Sequence, residues 1–156
     1  MVLHYDGSDF FGWQRQKSER TVQGEVESVL ERITGGHRSI MGSGRTDRGV
    51  HALGQVASVL LPDRWDAPSL RGAMNALLPR GIWVQEVRRV NPEFHPRYDA
   101  VARTYVYMVG TSPLARSPFL TGRCWPLVRS LDEEALKWAA KSLVGDHSFR
   151  AFAKAG

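Results

Sequence analysis

The chain has 156 residues, 42% hydrophobic and 24% charged, which is enough for one or two small domains with a real core and too apolar for a disordered tail. Its 21 Lys and Arg against 16 Asp and Glu leave a net charge of +5, a balance that suits a polyanionic partner. No apolar run is long enough to cross a bilayer and the opening MVLHYDGSDFFGW lacks the layout of a secretory signal, so the expected location is cytoplasmic, with no membrane contact.

Residues 2–5 read as a short strand, followed to about Arg20 by a Gly-punctuated aromatic loop, DGSDFFGWQRQ. Thr21 then stands as the N-cap of a helix whose apolar face is Val22, Val26, Val29, Leu30 and Ile33, stopped by Gly35 and Gly36. Strands are expected at 39–41 and at 51–61, the latter (HALGQVASVLL) apolar enough to be buried, with the polar loop GSGRTDRGV between them. Pro68 opens a second helix, its face built from Leu70, Ala73, Met74, Leu77 and Leu78 and its end set by Pro79; 82–90 returns as a strand.

Strand, helix, strand, strand, helix, strand is the split β-α-β-β-α-β unit of ferredoxin-like and RNA-recognition folds, an α+β architecture on an antiparallel sheet. This first domain is expected over residues 1–90. Residues 91–156 read as the start of a second such unit: a Pro-marked connection, an alternating strand at 103–109, and a helix behind a Ser130/Glu133 capping box, with Leu136, Ala139, Ala140, Leu143 and Val144 on one face and Gly145 at its end. One strand and one helix leave that unit with an unpaired edge and an uncovered apolar face, so it is expected to be incomplete, the rest lying in a missing C-terminal segment or a partner chain.

Most of the positive charge is arginine, Lys17, Lys137, Lys141 and Lys154 being the lysines. Guanidinium groups grip phosphates in pairs and stack on bases, which leans toward RNA. The lone Cys124 cannot close an internal disulfide. His4, His37, His51, His95 and His147 lack metal-ligand spacing, so no metal is expected. Gly42 and Gly44 lack the third glycine of a dinucleotide fingerprint, and no phosphate-binding Gly-Lys-Ser/Thr follows them.

In the loop GSGRTDRGVHA, residues 42–52, the carboxylate of Asp47 lies between Arg45 and Arg48. Two guanidiniums favour its ionised form, fitting a nucleophile or an electrostatic stabiliser better than a general acid. A type I turn over 46–49 ringed by solvated arginines accounts for the same residues. Tyr105 and Tyr107 on one strand face are either core or a stacking surface for an extruded base. Phe10, Phe11, Trp13, Gln14 and Arg15 are either a plug at the end of the sheet or an RNA contact.

Taken together, YDGSDFFGWQRQ, TVQGEVESVL, GSGRTDRGVHA, FHPRYDAVARTYVY and GDHSFRAF resemble, in order and over nearly the whole chain, the tRNA pseudouridine synthase A family. That resemblance favours the functional reading of Asp47 over the turn alone. It implies Asp47 as the nucleophile, Arg45 as the arginine beside it that takes part in base flipping, and Tyr105 as the tyrosine stacked on the target uracil, with Arg48 and Gln14 among the substrate contacts. It also implies isomerisation of uridines on the 3′ side of the tRNA anticodon stem-loop by a homodimer without cofactor or metal. Members of the family continue past GDHSFRAF with strands that complete the second half and a basic residue that pairs with the aspartate. Two other readings keep the scaffold: a non-catalytic RNA-binding module, and a half-enzyme completed by a separate C-terminal piece.

Overall fold

The computed structural model describes residues 1–152 and divides into two compact units, Met1–Thr104 and a second beginning at Tyr105. Residues 91–104, expected to open the second unit, cluster with the first.

The first unit holds six elements: β1 (Val2–Tyr5), α1 (Val22–Thr34), β2 (Met41–Gly42), β3 (Ala52–Ser58), α2 (Ala67–Leu77) and β4 (Ile82–Glu86). The strands lie in the order β2-β3-β1-β4, every pair antiparallel. This is the expected split β-α-β-β-α-β arrangement. Alternation along β1 and β4 turns Leu3, Tyr5, Ile82 and Val84 into the core, against Val22, Val26, Val29 and Leu30 of α1 and Leu70 and Met74 of α2.

Both helices obey their local signals. Thr21 Oγ1 accepts from Gly24 N at 3.2 Å and Gly35 closes α1 in the left-handed region at φ 76°. Asp66 caps α2 and Leu78 is extended, as the residue before a proline prefers to be. Asn75 on α2 bonds both ways to the backbone of Val84, donating to its carbonyl at 2.9 Å and accepting from its N–H at 2.8 Å. It thereby occupies backbone groups on the outer edge of β4 that would otherwise invite another strand.

The run 51–61 departs from a uniformly buried strand. Register shifts between Leu3 and Tyr5, inserting an extra residue in β3. Only Gln55 and Ala57 of β3 are buried, and Leu53 is 83% exposed.

The second unit carries β5 (Val109–Gly110) paired in parallel with β6 (Trp125–Pro126), and α3 (Glu133–Lys141). The strand expected at 103–109 forms only at its end, where Trp125 N donates to Met108 O at 2.7 Å and Val109 pairs with Trp125; among the described residues no backbone pairs with that of 103–107. A strand needs lateral hydrogen bonds as well as alternation. The capping box is also corrected: Asp132, not Ser130, caps α3, accepting from Ala135 N at 2.9 Å. α3 ends at Lys141, short of Gly145, and buries no residue; Leu136 and Trp138 on it are exposed.

Candidate active site

The loop joining β2 to β3 is fastened along its length by side chains and backbone from distant parts of the first unit. At its start, Ser43 N donates to Val56 O at 2.8 Å, and the buried Gln55 holds the Ser43 hydroxyl at 2.9 Å and donates to Gly44 O at 2.6 Å. Arg103 donates to Ser43 O at 2.9 Å, tying residues 91–104 to the same place. At its centre, Thr46 is gripped twice: its carbonyl accepts from Trp13 N at 2.9 Å, and its hydroxyl meets the hydroxyl of buried Tyr5 at 2.8 Å. Burial raises the pKa of Tyr5, against the hydrogen bonds to Thr46 and Gln55, so the phenol stays protonated at neutral pH.

Beyond Thr46 the chain turns sharply. Val50 N donates to Asp47 O at 3.2 Å, with Gly49 at φ 79°, and Gly49 N reaches Phe10 O at 3.4 Å. The turn expected over 46–49 therefore runs one residue later. Gly7 N donates to His51 Nδ1 at 3.2 Å, and Asp6 Oδ1 lies 3.1 Å from the same nitrogen.

The aromatic stretch after β1 is the other wall. Gly12 O and Trp13 O accept from Val22 N and Gln23 N at 3.1 and 3.0 Å, so the stretch itself satisfies first-turn donors of α1. Phe10 and Trp13 are buried at 1% and 2% exposure, which decides for the plug where those two are concerned. Gly12 sits at φ 90°, and a Cβ on it would come 2.6 Å from Thr46 O. Gly42 is equally confined, since a Cβ there would meet the Trp13 indole at 2.7 Å.

Asp47, Arg45 and Arg48 are brought together on this loop and all three are exposed; Gln14 is exposed beside Trp13. Among the described residues no ion pair involves Asp47, and Arg48 lies over the Phe11 ring at 4.1 Å from its centroid, a contact worth about 0.5–1 kcal/mol at an exposed site. Tyr105 belongs to the second unit, is 68% exposed and lies outside any strand. No cluster of three or more His, Cys, Asp or Glu among the described residues is arranged to hold a metal, and no described helix is long and apolar enough to cross a membrane.

Tyr5 and Gln55, which fasten the loop from β1 and β3, were not singled out from the sequence. Their one signal is polarity at positions where strand alternation calls for an apolar residue.

A ferredoxin-like half with an exposed aspartate on an anchored inter-strand loop fits the scaffold of a pseudouridine synthase. Residues 1–99 match the family model described as tRNA pseudouridine synthase, and the chain belongs to that family. Among curated relatives it is 44% identical to tRNA pseudouridine synthase A of Fervidobacterium nodosum over 97% of this chain and 62% of the relative. It is 42% identical to the protein of that name from Sinorhizobium fredii over 99% and 64%, and 45% identical to that from Thermotoga petrophila over 97% and 62%. The chain thus spans a little under two thirds of the length of these relatives.

Proposed function

We propose that the protein isomerises uridine to pseudouridine in the anticodon arm of tRNA, with Asp47 as the nucleophile. The observation that carries this reading is the Asp47 loop. Its carboxylate is exposed and outside any ion pair among the described residues, while the backbone beneath it is held through Thr46 by Trp13 and Tyr5. A nucleophile needs open lone pairs on a fixed base.

The reaction breaks the N1–C1′ glycosidic bond, turns the uracil, and forms C5–C1′, after which C5 loses its hydrogen as a proton while N1 gains one; nothing is oxidised or hydrolysed. No cofactor or metal is required. The target nucleotide has to leave its stack, at a cost of a few kcal/mol. Arg45 enters the vacated space, Tyr105 stacks on the flipped uracil, and Arg48 and Gln14 contact the RNA. The catalytic loop belongs to the N-terminal unit and Tyr105 to the start of a second, catalytic unit. The working form is a cytoplasmic homodimer.

The test is tritium release from anticodon stem-loop RNA labelled at uracil C5, comparing the chain with Asp47→Asn. Release by the parent and none by the variant, at equal RNA affinity, is the expected outcome. RNA binding indifferent to Asp47→Asn with no release from either would favour a binding module. Release restored by adding the C-terminal part of a relative in trans would instead identify a half-enzyme.

A further inference from the structure

Glu27 lies in the middle of α1 at 2% exposure, where helix spacing calls for an apolar residue. Every side of its carboxylate is occupied. Oε1 accepts from Ile40 N at 3.0 Å, Gln23 Nε2 at 2.9 Å and Ser39 Oγ at 3.3 Å, and Oε2 accepts from Arg15 Nη1 at 3.0 Å. Gln23, one turn earlier on α1 and also buried, accepts from Arg15 N at 3.0 Å and donates to Ile40 O at 3.2 Å. Two residues of one helix therefore clamp two separate stretches of chain, 13–15, where Gln23 N also donates to Trp13 O at 3.0 Å, and 39–40.

Those stretches are the two approaches to the Asp47 loop. From the first, Trp13 N holds Thr46 O, one residue before Asp47, and its indole lies against Gly42. From the second, Ile40 leads straight into β2 and Ser43. A buried, paired charge stabilises a fold no better than well-packed apolar side chains of the same volume, so stability alone gives little reason for a carboxylate here. What the carboxylate does that a leucine cannot is fix three donors from two loops, Arg15 on one and Ser39 and Ile40 on the other, at set distances, with Gln23 of its own helix beside them.

We propose that Glu27 is a positioning residue for the catalytic loop, acting on Asp47 through Arg15, Gln23 and Trp13 without touching the RNA. This rests on the reading of Asp47 as the nucleophile, so the test has one arm that needs no catalysis. The first arm follows amide exchange in the whole chain, in Glu27→Gln and in Arg15→Met, whose side chain is 55% exposed and whose replacement spares the other bonds to Glu27. The Trp13 amide, donor to Thr46 O, is expected to exchange about tenfold faster or more in both variants while Met74 and Val84 amides keep their rates. An unchanged Trp13 amide, or a uniform acceleration through the first unit, would overturn the proposal. Should Glu27→Gln fail to fold, Arg15→Met decides by the same criterion.

The second arm is C5 tritium release by Glu27→Gln. Turnover is expected to fall about 10- to 100-fold, the size of effect a small misplacement of a reacting group produces, with stem-loop affinity unchanged. Turnover equal to the parent's would refute the positioning role. A parent chain that releases no tritium would count against the proposed catalysis, and the exchange arm would still decide the role of Glu27.

Discussion

Gly12→Ala isolates the contact between the aromatic stretch and the Asp47 loop. Gly12 is at φ 90°, where an L-residue is strained by about 1–3 kcal/mol. Its new Cβ would also stand 2.6 Å from Thr46 O, 3.2 Å from Asp47 C and 3.3 Å from Arg48 N, all backbone atoms with no rotamer to escape through. Restoring ordinary contact moves the loop away by about 0.8 Å, which stretches the 2.9 Å bond from Trp13 N beyond hydrogen-bonding range and forfeits about 0.5–1.5 kcal/mol more. The variant should therefore be about 2–4 kcal/mol less stable in its first unit, measured by urea unfolding followed at amides of β1 and α1. Gly54→Ala is the internal control: a Cβ there meets nothing within 4 Å, and the change should be neutral or stabilising by up to about 1 kcal/mol. A loss below about 0.5 kcal/mol for Gly12→Ala, or an equal loss for Gly54→Ala, would refute this reasoning.

Met74→Ala, at a fully buried position of α2, should cost about 2–5 kcal/mol by the same unfolding measurement, since the removed side chain leaves a cavity between α2 and the sheet. Acid should weaken the first unit in a way that Glu27→Gln abolishes. Burial works to raise the Glu27 pKa, but the bonds from Ile40, Gln23, Arg15 and Ser39 outweigh it and leave it below the ordinary 4.5. A folded pKa below the unfolded one contributes stability that is complete above about 4.5 and is withdrawn as pH falls through the folded value. Parent and Glu27→Gln should thus converge in stability as pH drops below 4.5, and parallel curves would contradict the assignment.

The first unit was legible because its signals are local. Thr21, Gly35, Pro68 and Pro79 mark the helix ends within one turn of where the structure sets them. Spacing alone also picked out Val22, Val26, Leu30, Leu70 and Met74 as buried. The second unit was not legible, for a reason Tyr105 illustrates. Alternation of Tyr105, Tyr107 and Val109 says that two faces differ, but not whether any backbone lies alongside to accept the hydrogen bonds. The bulge in β3 and the choice of Asp132 over Ser130 as a cap likewise depend on neighbours that spacing cannot name. In the site, the motif around Asp47 was readable and its support was not, because Tyr5 meets Thr46 across 41 positions of sequence and Arg103 meets Ser43 across 60.

That separation between a readable motif and an unreadable support bears on how the loop works. Sequence proximity suggested that Arg45 and Arg48 tend the aspartate, yet Arg48 rests on Phe11 and Asp47 takes part in no ion pair among the described residues. A guanidinium clamped on the carboxylate would hold the lone pairs a nucleophile has to offer. Arg48, resting on the Phe11 ring, leaves those lone pairs open, and an exposed guanidinium remains available to phosphates. The fixing of Asp47 then falls to Thr46, its hydroxyl met by one phenol and its carbonyl held by one amide, and behind them to the clamp on α1. Substitutions at Tyr5, Trp13 or Glu27 should accordingly slow turnover with little change in RNA affinity, and those at Arg45 or Arg48 should weaken RNA binding in a salt-dependent way. A salt titration of stem-loop binding across both groups separates the two behaviours, and a salt-dependent loss of affinity in the first group would show that the support and the binding surface are one and the same.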